Sequence, residues 1–556
     1  KRPTSFIPSL VTLFISILFL VLGGQIFNSS ASPAILDGYV NNLRNQARIN
    51  IIEVRPSWLA TSQVIGKILP KSPVFGVGPN QFAPEWLKTK PKEINTTPFW
   101  AAEFNYGIGL VPSFVATTGI LGLLSWLILL AVIIYYGFRF VFSVNQDKST
   151  RALLFLSFFG SVYLWFFSIF YVPDAFLWAM TFIVTGLFVA ILADTKTVKN
   201  INWHFTKDPK SNFISVLFFT ALIILSIVGG ALLVQRFSSI YIHQQGLFVL
   251  NSTGDLDKSG ELVRQAIAIN EQDIYYRTVS QIDILQIQKL LATKDMLPEE
   301  VKARFKMLFY FTLADAKKAT ELDPANYKNW LALGKAYELV VPLGVKGAYE
   351  ESKKAYSQAE MLDPTNPDIQ LNYFGQLELG NKNIKNAKDY INKSLALKND
   401  YLPAVSLLSQ IDVTEGNADQ AIKRLESYIS AYPQNVDPGT LFQLGYLDYR
   451  QSYFKKAVSV LLPAINMMPN YANAKYFLGL SYDGLGQKDL ARQQFEEILK
   501  SNPNNKEIIQ IINNLRNGQS AVSNSTFSIT APLSLSATTT ATSSPSKTLP
   551  KPVKKP

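Results

Sequence analysis

The sequence predicts an all-α protein, in which a polytopic helical membrane domain is followed by a tetratricopeptide-repeat (TPR) α-solenoid and a disordered tail. Long apolar segments are concentrated in residues 1–235. Residues 236–517 carry a periodic helical pattern, and residues 518–556 change to Ser, Thr, Ala, Pro and Lys. We therefore expect three domains with these boundaries, because membrane spans, helical repeats and low-complexity tails have distinct compositions.

Five segments are long and apolar enough to cross about 30 Å of hydrocarbon. They cover residues 6–27, 119–138, 152–172, 175–193 and 212–235. They lack the regular polar positions of an amphipathic soluble helix. The first follows Lys1 and Arg2, but its apolar part is long for a signal peptide, so we interpret it as an anchor. Because the sequence starts without a methionine, we expect it to be the C-terminal part of a longer membrane protein.

The basic residues of the short loops predict the orientation of these segments. Loops 139–151 and 194–211 are rich in Lys and Arg, whereas the turn around Pro173 and Asp174 has neither. Both basic loops are therefore predicted to be cytoplasmic. The loop 28–107 and all residues after Gln235 are then extracytoplasmic, which predicts a multi-pass cell-membrane protein that contacts membrane lipid.

The second half has the period of a TPR, about 34 residues. Helix-breaking residues close the units at Pro324, Pro364, Asn399, Pro433, Pro469 and Pro503. In the last unit Leu478, Gly479, Tyr482, Ala491 and Phe495 lie at the motif spacing. Small residues let two antiparallel helices approach, so we expect Gly479 and Ala491 to face each other. Such a solenoid leaves a concave groove, which predicts binding of a protein partner.

Composition excludes several other classes. The 556 residues include no cysteine, which excludes a disulfide scaffold and a thiolate zinc site. The net charge is +12, but the lysines are scattered and form no basic, aromatic face, so no nucleic-acid partner is expected. The tail ends in KTLPKPVKKP and is predicted to be disordered. A solubilising role is favoured over contact with an anionic wall or membrane.

Residues 71–86 read KSPVFGVGPNQFAPEW, a Gly-Pro loop within the predicted extracytoplasmic segment. Before it, Pro56 suits the first turn of a helix, and apolar residues recur at helical spacing from Trp58 to Leu69. The glycines of GVG allow a tight turn, and Pro79 fixes its exit. Taken alone, this pattern favours a structural turn over a phosphate site.

The order of the elements in residues 50–135 resembles the O-antigen ligase and polymerase family of membrane glycosyltransferases. The order is an Arg-x-x-Trp helix start at Arg55, then KSPVFGVGPNQF, then Phe104 and Asn105, then TTGILGLLSWL leading into a span. The resemblance implies transfer of a glycan from an undecaprenyl pyrophosphate carrier to an acceptor at the outer membrane face, without metal or other cofactor. C-terminal TPRs are a common companion in that family. An acceptor hydroxyl would attack an anomeric carbon while cations stabilise the departing pyrophosphate.

The resemblance also implies a set of site residues. Arg55 would bind the pyrophosphate, Gly76 and Gly78 would shape the pocket wall, and Asn105 would lie near the acceptor. The complete expectation is a catalytic pair, Arg55 and Glu103, with substrate-binding residues Trp58, Lys71, Gly76, Gly78, Asn80 and Asn105.

One position departs from the family pattern. A histidine typically precedes the asparagine, but Phe104 stands there, and the chain has only His204 and His243, both predicted to be surface residues. Glu103 is adjacent and is a candidate base, since a carboxylate can accept a proton. The other interpretation, that Glu103 only solvates a helix start, has equal weight.

A second function class stays open, a membrane-anchored TPR scaffold that recruits partners in envelope assembly and has no chemistry of its own. An arginine at the membrane surface beside a Gly-Pro loop favours the ligase or polymerase interpretation over the scaffold. A transporter is disfavoured, because no charge within the spans marks a substrate path.

Overall fold

The computed structural model describes residues 54–141, 147–194, 209–293 and 296–522, and the regular structure within them is entirely helical. This confirms the all-α class. The predicted span 6–27, the predicted loop before residue 54, His204 and residues 523–556 of the predicted disordered tail 518–556 lie outside the described residues. The first residues of that tail are described, and the prediction of disorder does not hold at Ala521, which is buried.

The first part of the described chain contains two short amphipathic helices and four long apolar helices. They are α1 Trp58–Ile68, α2 Phe82–Thr89, α3 Leu110–Val141, α4 Lys148–Phe170, α5 Ala175–Asp194 and α6 Pro209–Thr253, with a 3-10 turn at Lys92–Thr96. Helices α3 to α6 are long and apolar enough to cross a membrane, and they match four of the five predicted spans. Phe158 of α4 packs against Phe188 of α5, and Trp165 donates to the Thr185 hydroxyl at 2.9 Å.

Helix α6 runs without interruption through the predicted domain boundary at 235/236. Its C-terminal part packs on the next helix, where a Cβ on Gly246 would lie 2.9 Å from the Val263 side chain. The prediction that His243 is a surface residue is wrong. The His243 ring is buried, lies 3.1 Å from the Thr278 hydroxyl and packs on Tyr275, because α6 continues as the first helix of a packed helix pair.

The chain divides into two compact units, one up to Ile369 that also includes residues 380–382, and one formed by residues 370–379 and those from Asn383 onward. The first unit contains, after α6, the helices α7 Leu256–Ile269, α8 Asp273–Ala292, α9 Pro298–Leu322, α10 Tyr327–Glu338 and α11 Ala348–Leu362. From Ile369 onward the helices are a π-helical segment Ile369–Gly375, α12 Gln376–Gly380, α13 Ile384–Leu397, α14 Leu402–Thr414, α15 Ala418–Ala431, α16 Pro438–Arg450, α17 Phe454–Met467, α18 Ala472–Gly484, α19 Lys488–Ser501 and α20 Lys506–Arg516.

The predicted helix breakers lie where the second helices of the repeats end. Helices α9, α11, α13, α15, α17 and α19 end at Leu322, Leu362, Leu397, Ala431, Met467 and Ser501. Each of these residues comes two positions before the predicted breaker. At the five prolines the reason is that proline cannot donate the next helical hydrogen bond and restricts the residue before it. The helix before Asn399 ends at the same spacing, although asparagine has neither property.

The glycines of the first helices mark close helix contacts, as predicted, but the residue opposite Gly479 differs from the prediction. A Cβ on Gly479 would lie 2.7 Å from the Phe495 ring, and one on Gly445 would lie 2.6 Å from Leu461. The side chain that occupies the space beside Gly479 is therefore Phe495 and not Ala491. Ala491 is buried in the same cluster.

Candidate functional site

The loop KSPVFGVG and the start of the apolar helix α3 hold each other through their backbones. Helix α3 is broken at Gly119, where the backbone leaves the helical conformation (φ 66°, ψ −160°). A break in a helix leaves carbonyl and amide groups without intrahelical partners. The loop supplies them: Val77 N donates to Ala116 O (3.1 Å), Gly78 N to Thr117 O (2.9 Å), Ile120 N to Pro73 O (2.9 Å) and Leu121 N to Val74 O (3.1 Å).

This contact requires a glycine on each side. Gly76 has a φ of 65°, and a Cβ there would lie 2.5 Å from Ala116 O. A Cβ on Gly119 would lie 2.4 Å from Val74 O. Side chains do not fit at either position, so the GVG sequence serves a close backbone approach to a broken apolar helix.

Two neighbouring cavities of about 540 Å³ each lie on either side of this contact. The first is lined mainly by Asn80, Phe82, Asn105, Tyr106, Ser113, Phe114 and Trp178. The second is lined by the GVG loop and the helix break, including Phe75, Gly76, Gly78, Leu121 and Ser125. Pro79, Thr117 and Thr118 line both cavities. Within the part of the chain that the structure describes, the side chains that line both cavities are apolar or neutral polar.

The structure brings four of the predicted site residues to these cavities. Asn80 and Asn105 line the first cavity, although they are far apart in sequence. Gly76 and Gly78 line the second. Amide side chains both donate and accept hydrogen bonds, and the first cavity places them beside hydroxyl groups and aromatic rings.

Arg55 and Trp58 lie at the C-terminal end of α4. Neither side chain lines a cavity, but Tyr171, on which Arg55 stacks, directly precedes Val172, which lines the first cavity. The Arg55 guanidinium donates to the carbonyls of Ile108 (3.1 Å) and Phe170 (3.0 Å) and stacks on the Tyr171 ring at 4.6 Å. Trp58 packs edge-on against the Phe170 ring. A cation at the last carbonyls of a helix is favourable, since these carry the negative end of the helix dipole. Arg55 therefore links the residues that precede α1 to the C-terminal end of α4.

Glu103 lies beside the repeats. Its carboxylate is 2.8 Å from Lys328 Nζ and accepts from the Tyr327 hydroxyl at 3.3 Å. Phe104, which stands where the family typically has a histidine, packs edge-on against Trp86. Lys71 is exposed after the end of α1. Neither Glu103 nor Lys71 is among the residues that line the two cavities.

The segment from α2 to Glu103 docks on the repeats of the same unit. Lys90 Nζ lies 3.1 Å from an Asp363 oxygen, and both side chains are almost fully buried, with exposures of 1% and 2%. The Asn95 amide donates to Thr365 O at 2.7 Å. Sequence reasoning missed this contact, because its residues are about 270 positions apart and lysine and aspartate are usually exposed.

The second unit contains a buried carboxylate in an apolar setting. Asp448 of α16 has no exposed surface, and among the described residues neither of its carboxylate oxygens has a hydrogen-bond partner. Burial, opposed by Lys456 and reinforced by Glu426, raises the pKa of Asp448 to about 6. Asp412, which is equally buried on α14 of the preceding repeat, accepts instead from Arg424 Nε (3.1 Å) and Nη2 (2.8 Å).

We expect Asp448→Asn to stabilise the second unit at neutral pH. The folded pKa of Asp448 lies above the unfolded value of about 3.9, so the folded state binds more protons between these values. Stability should therefore fall as the pH rises from about 4 to about 6 and then stay constant. Removing the charge should restore about 1–3 kcal/mol above pH 6 and little at pH 4.

Amide hydrogen exchange of α16 and α17 in the full chain, corrected for the intrinsic pH dependence of exchange, measures this difference. Asp412→Asn is the matched control. It should destabilise the unit, since it removes the carboxylate that Arg424 and Lys388 face. Equal effects of the two substitutions at both pH values would contradict the role assigned to Asp448.

Comparison with known proteins supports the repeat part of the chain. Residues 472–505, which contain α18 and α19, match the family model of the tetratricopeptide repeat. This match and the four long apolar helices together define the class of the protein, a TPR protein with helices able to cross a membrane. No curated protein sequence matches the chain.

Several solved structures are similar to the chain at low scores. Yeast Tom70 is 15% identical, with 70% of this chain and 69% of Tom70 covered and a TM-score of 0.36. A tetratricopeptide repeat protein from Parabacteroides merdae is 15% identical, covering 50% and 99%, with a TM-score of 0.31. YrrB, described as a TPR protein with an unusual peptide-binding site, is 18% identical, covering 35% and 95%, with a TM-score of 0.27. The assignment of the repeats rests on the matched family model and on the helix pairs themselves.

Proposed function

We propose that this protein is a membrane-anchored TPR scaffold that holds a protein partner beside the outer face of the cytoplasmic membrane during envelope assembly. The observation that carries the proposal is the direct connection between apolar helix and repeats. Helix α6 continues from its apolar segment into the first helix pair. The Lys90–Asp363 ion pair links the segment from α2 to Glu103 to the repeats of the first unit. The repeats of the first unit are thereby connected at two points to the segments that precede them.

The contacts of Arg55 and Glu103 favour a structural role for both side chains. A residue that stabilises a leaving group must face the reacting atoms. Arg55 contacts the carbonyls at the end of α4, and Glu103 contacts Lys328 and Tyr327. Both side chains therefore stabilise contacts between segments of the chain.

Photo-crosslinking in cells tests the scaffold. A photoreactive residue is placed at Gln410 or Asn473, on the first helices of two repeats, and at Ser427 on a second helix as the control. The proposal expects the same protein partner to crosslink at both groove positions and not at Ser427.

Reporter fusions after Gly518 and near Lys148 test the topology, and they should be active on opposite sides of the membrane.

Glycan transfer from undecaprenyl pyrophosphate is the second candidate function, and one observation favours it. The first cavity places Asn80 and Asn105 beside hydroxyl and aromatic side chains, which are groups that bind sugars through hydrogen bonds and stacking. In this case Asn105 would orient the acceptor, as the family resemblance implies.

We expect Asn105→Ala to separate the two functions. If the cavity orients an acceptor, losing the amide should lower glycan transfer about tenfold or more and cause undecaprenyl-linked glycan to accumulate in cells. Asn392→Ala, at an exposed asparagine on the second helix α13, is the matched control. If glycan levels in Asn105→Ala cells equal those of the wild type while the protein is present in normal amount, the transfer function is excluded for this cavity.

A further inference from the structure

The first helices of the last repeats carry a row of aromatic rings. Phe442, Tyr446 and Tyr449 recur at helical spacing on one face of α16, and Tyr476 and Phe477 continue the row on α18. The centroid of the Phe477 ring lies 4.8 Å from that of Tyr446 and 5.4 Å from that of Tyr449. We call these five residues the aromatic row.

The rest of the protein covers the aromatic row only in part. Phe477 is buried at its centre, whereas the other four rings are partly exposed. First helices line the concave side of a TPR solenoid, where extended ligands bind. Tyrosine and phenylalanine rings with one free face bind other polypeptides well, because they bury a large apolar area at low entropic cost.

Carboxylates lie beside the hydroxyl ends of this row. The Tyr476 hydroxyl donates to Glu507 at 3.1 Å. Burial raises the pKa of Tyr449, and the nearby Asp483 carboxylate raises it further. At the other edge Arg450 donates to the Tyr446 hydroxyl at 3.2 Å. Lys488 Nζ already lies 3.1 Å from the Asp483 carboxylate, so Glu507 is the carboxylate that favours a cationic ligand at this end of the row.

The C-terminal segment leaves the repeats next to the aromatic row. Asp483, on the helix that carries Tyr476 and Phe477, accepts from Ser520 Oγ and from Ala521 N, both at 2.8 Å. Ala521 is buried in the same apolar cluster as Phe477. From there residues 523–556 can reach roughly 110 Å when extended, which is many times the length of the row. They end in KTLPKPVKKP, a segment rich in proline and lysine.

We propose that the aromatic row binds a proline-rich, lysine-containing extended segment and that its occupant is this chain's own residues 547–556. Proline-rich segments adopt the polyproline II conformation, and they lose little entropy when they bind aromatic grooves. Lysines pair with the carboxylates or stack on tyrosine faces. Because the segment is tethered, its effective concentration at the row is in the millimolar range. A partner that uses this groove must displace the tail.

The inference rests on the proposed scaffold function in one respect, that the groove takes an extended polypeptide. The experiment measures binding of a labelled peptide of residues 523–556 to two proteins in nanodiscs, the full chain and a chain ending at Val522. We expect the shortened chain to bind the peptide at least about tenfold more tightly, since the full chain already holds its tail in the row.

Variants on both sides of the contact test the location. Tyr446→Ala with Tyr449→Ala should weaken peptide binding about tenfold or more, whereas Tyr310→Ala, at an exposed tyrosine in the first unit, should not. Pro550→Gly with Pro552→Gly in the peptide should weaken binding as well, and this change leaves the repeats intact even if the tyrosine variants unfold.

Three results would overturn the inference. They are equal affinity of the peptide for both chains, no binding to the shortened chain, and full binding to the tyrosine variants when these are folded. Transfer of the labelled peptide to vesicles of anionic phosphatidylglycerol in preference to the shortened chain would also overturn it. The crosslinking of a partner at Gln410 and Asn473 is a separate measurement, so the scaffold function can hold when the tail inference fails.

Discussion

Replacing Lys90 with methionine is expected to release residues 82–104 from the repeats of the first unit. Methionine keeps the length and apolar character of the side chain, but it leaves the buried Asp363 carboxylate without its cation. Burial raises the pKa of Asp363, while Lys90 lowers it. Breaking a buried ion pair by removing one partner costs about 3–5 kcal/mol, because an uncompensated charge stays in an apolar site.

Amide hydrogen exchange on the full chain in nanodiscs provides the measurement. In Lys90→Met, exchange should accelerate in both partners of the contact, residues 82–104 and 348–366. A double variant, Lys90→Met with Asp363→Leu, should recover most of the protection, since two apolar residues of similar volume can replace a buried pair without loss. Lys302→Met is the control, because Lys302 and Glu299 form an exposed pair in the first unit, worth about 0–1 kcal/mol. Wild-type protection in Lys90→Met would show that the ion pair does not hold the two segments together.

The contacts of the GVG loop are the part of the fold that the sequence predicts least well. The spans and repeats could be predicted because their signals are local: continuous apolar stretches, and prolines two residues after the helix ends. The GVG turn was also visible, since glycine marks positive φ angles. Its contact with Gly119 was not, because a backbone-to-backbone approach leaves no side-chain pattern that identifies the partner.

The candidate site shows the same limit. The resemblance to the ligase and polymerase family grouped Arg55, Glu103 and Asn105 by their order in the chain. In the structure Asn105 lines a cavity, whereas the Arg55 guanidinium contacts the end of α4 and the Glu103 carboxylate contacts the repeats. The order of residues in the chain does not show that Arg55 donates hydrogen bonds to two carbonyls that lie far apart in sequence. The catalytic roles of Arg55 and Glu103 stay predictions.

Gly119→Ala is expected to have the other large effect, since it acts where the loop enters the helix break. Gly119 has a φ of 66° and a ψ of −160°, a region of backbone space that is open almost only to glycine. The added Cβ would also lie 2.4 Å from Val74 O. Backbone strain of about 1–3 kcal/mol and the loss of the loop hydrogen bonds should together detach residues 73–78 from α3.

The matched control for this substitution is Gly66→Ala in α1, where nothing lies within 4 Å of the added Cβ. Alanine there should stabilise the helix by up to about 1 kcal/mol. Exchange of the Val77, Gly78, Ile120 and Leu121 amides should rise together in Gly119→Ala and stay at the wild-type level in Gly66→Ala. Gly76→Ala should reproduce the effect from the other side, because its Cβ meets Ala116 O. If Gly119→Ala keeps these amides protected, helix and loop are held by side chains, and the GVG sequence is then an ordinary turn.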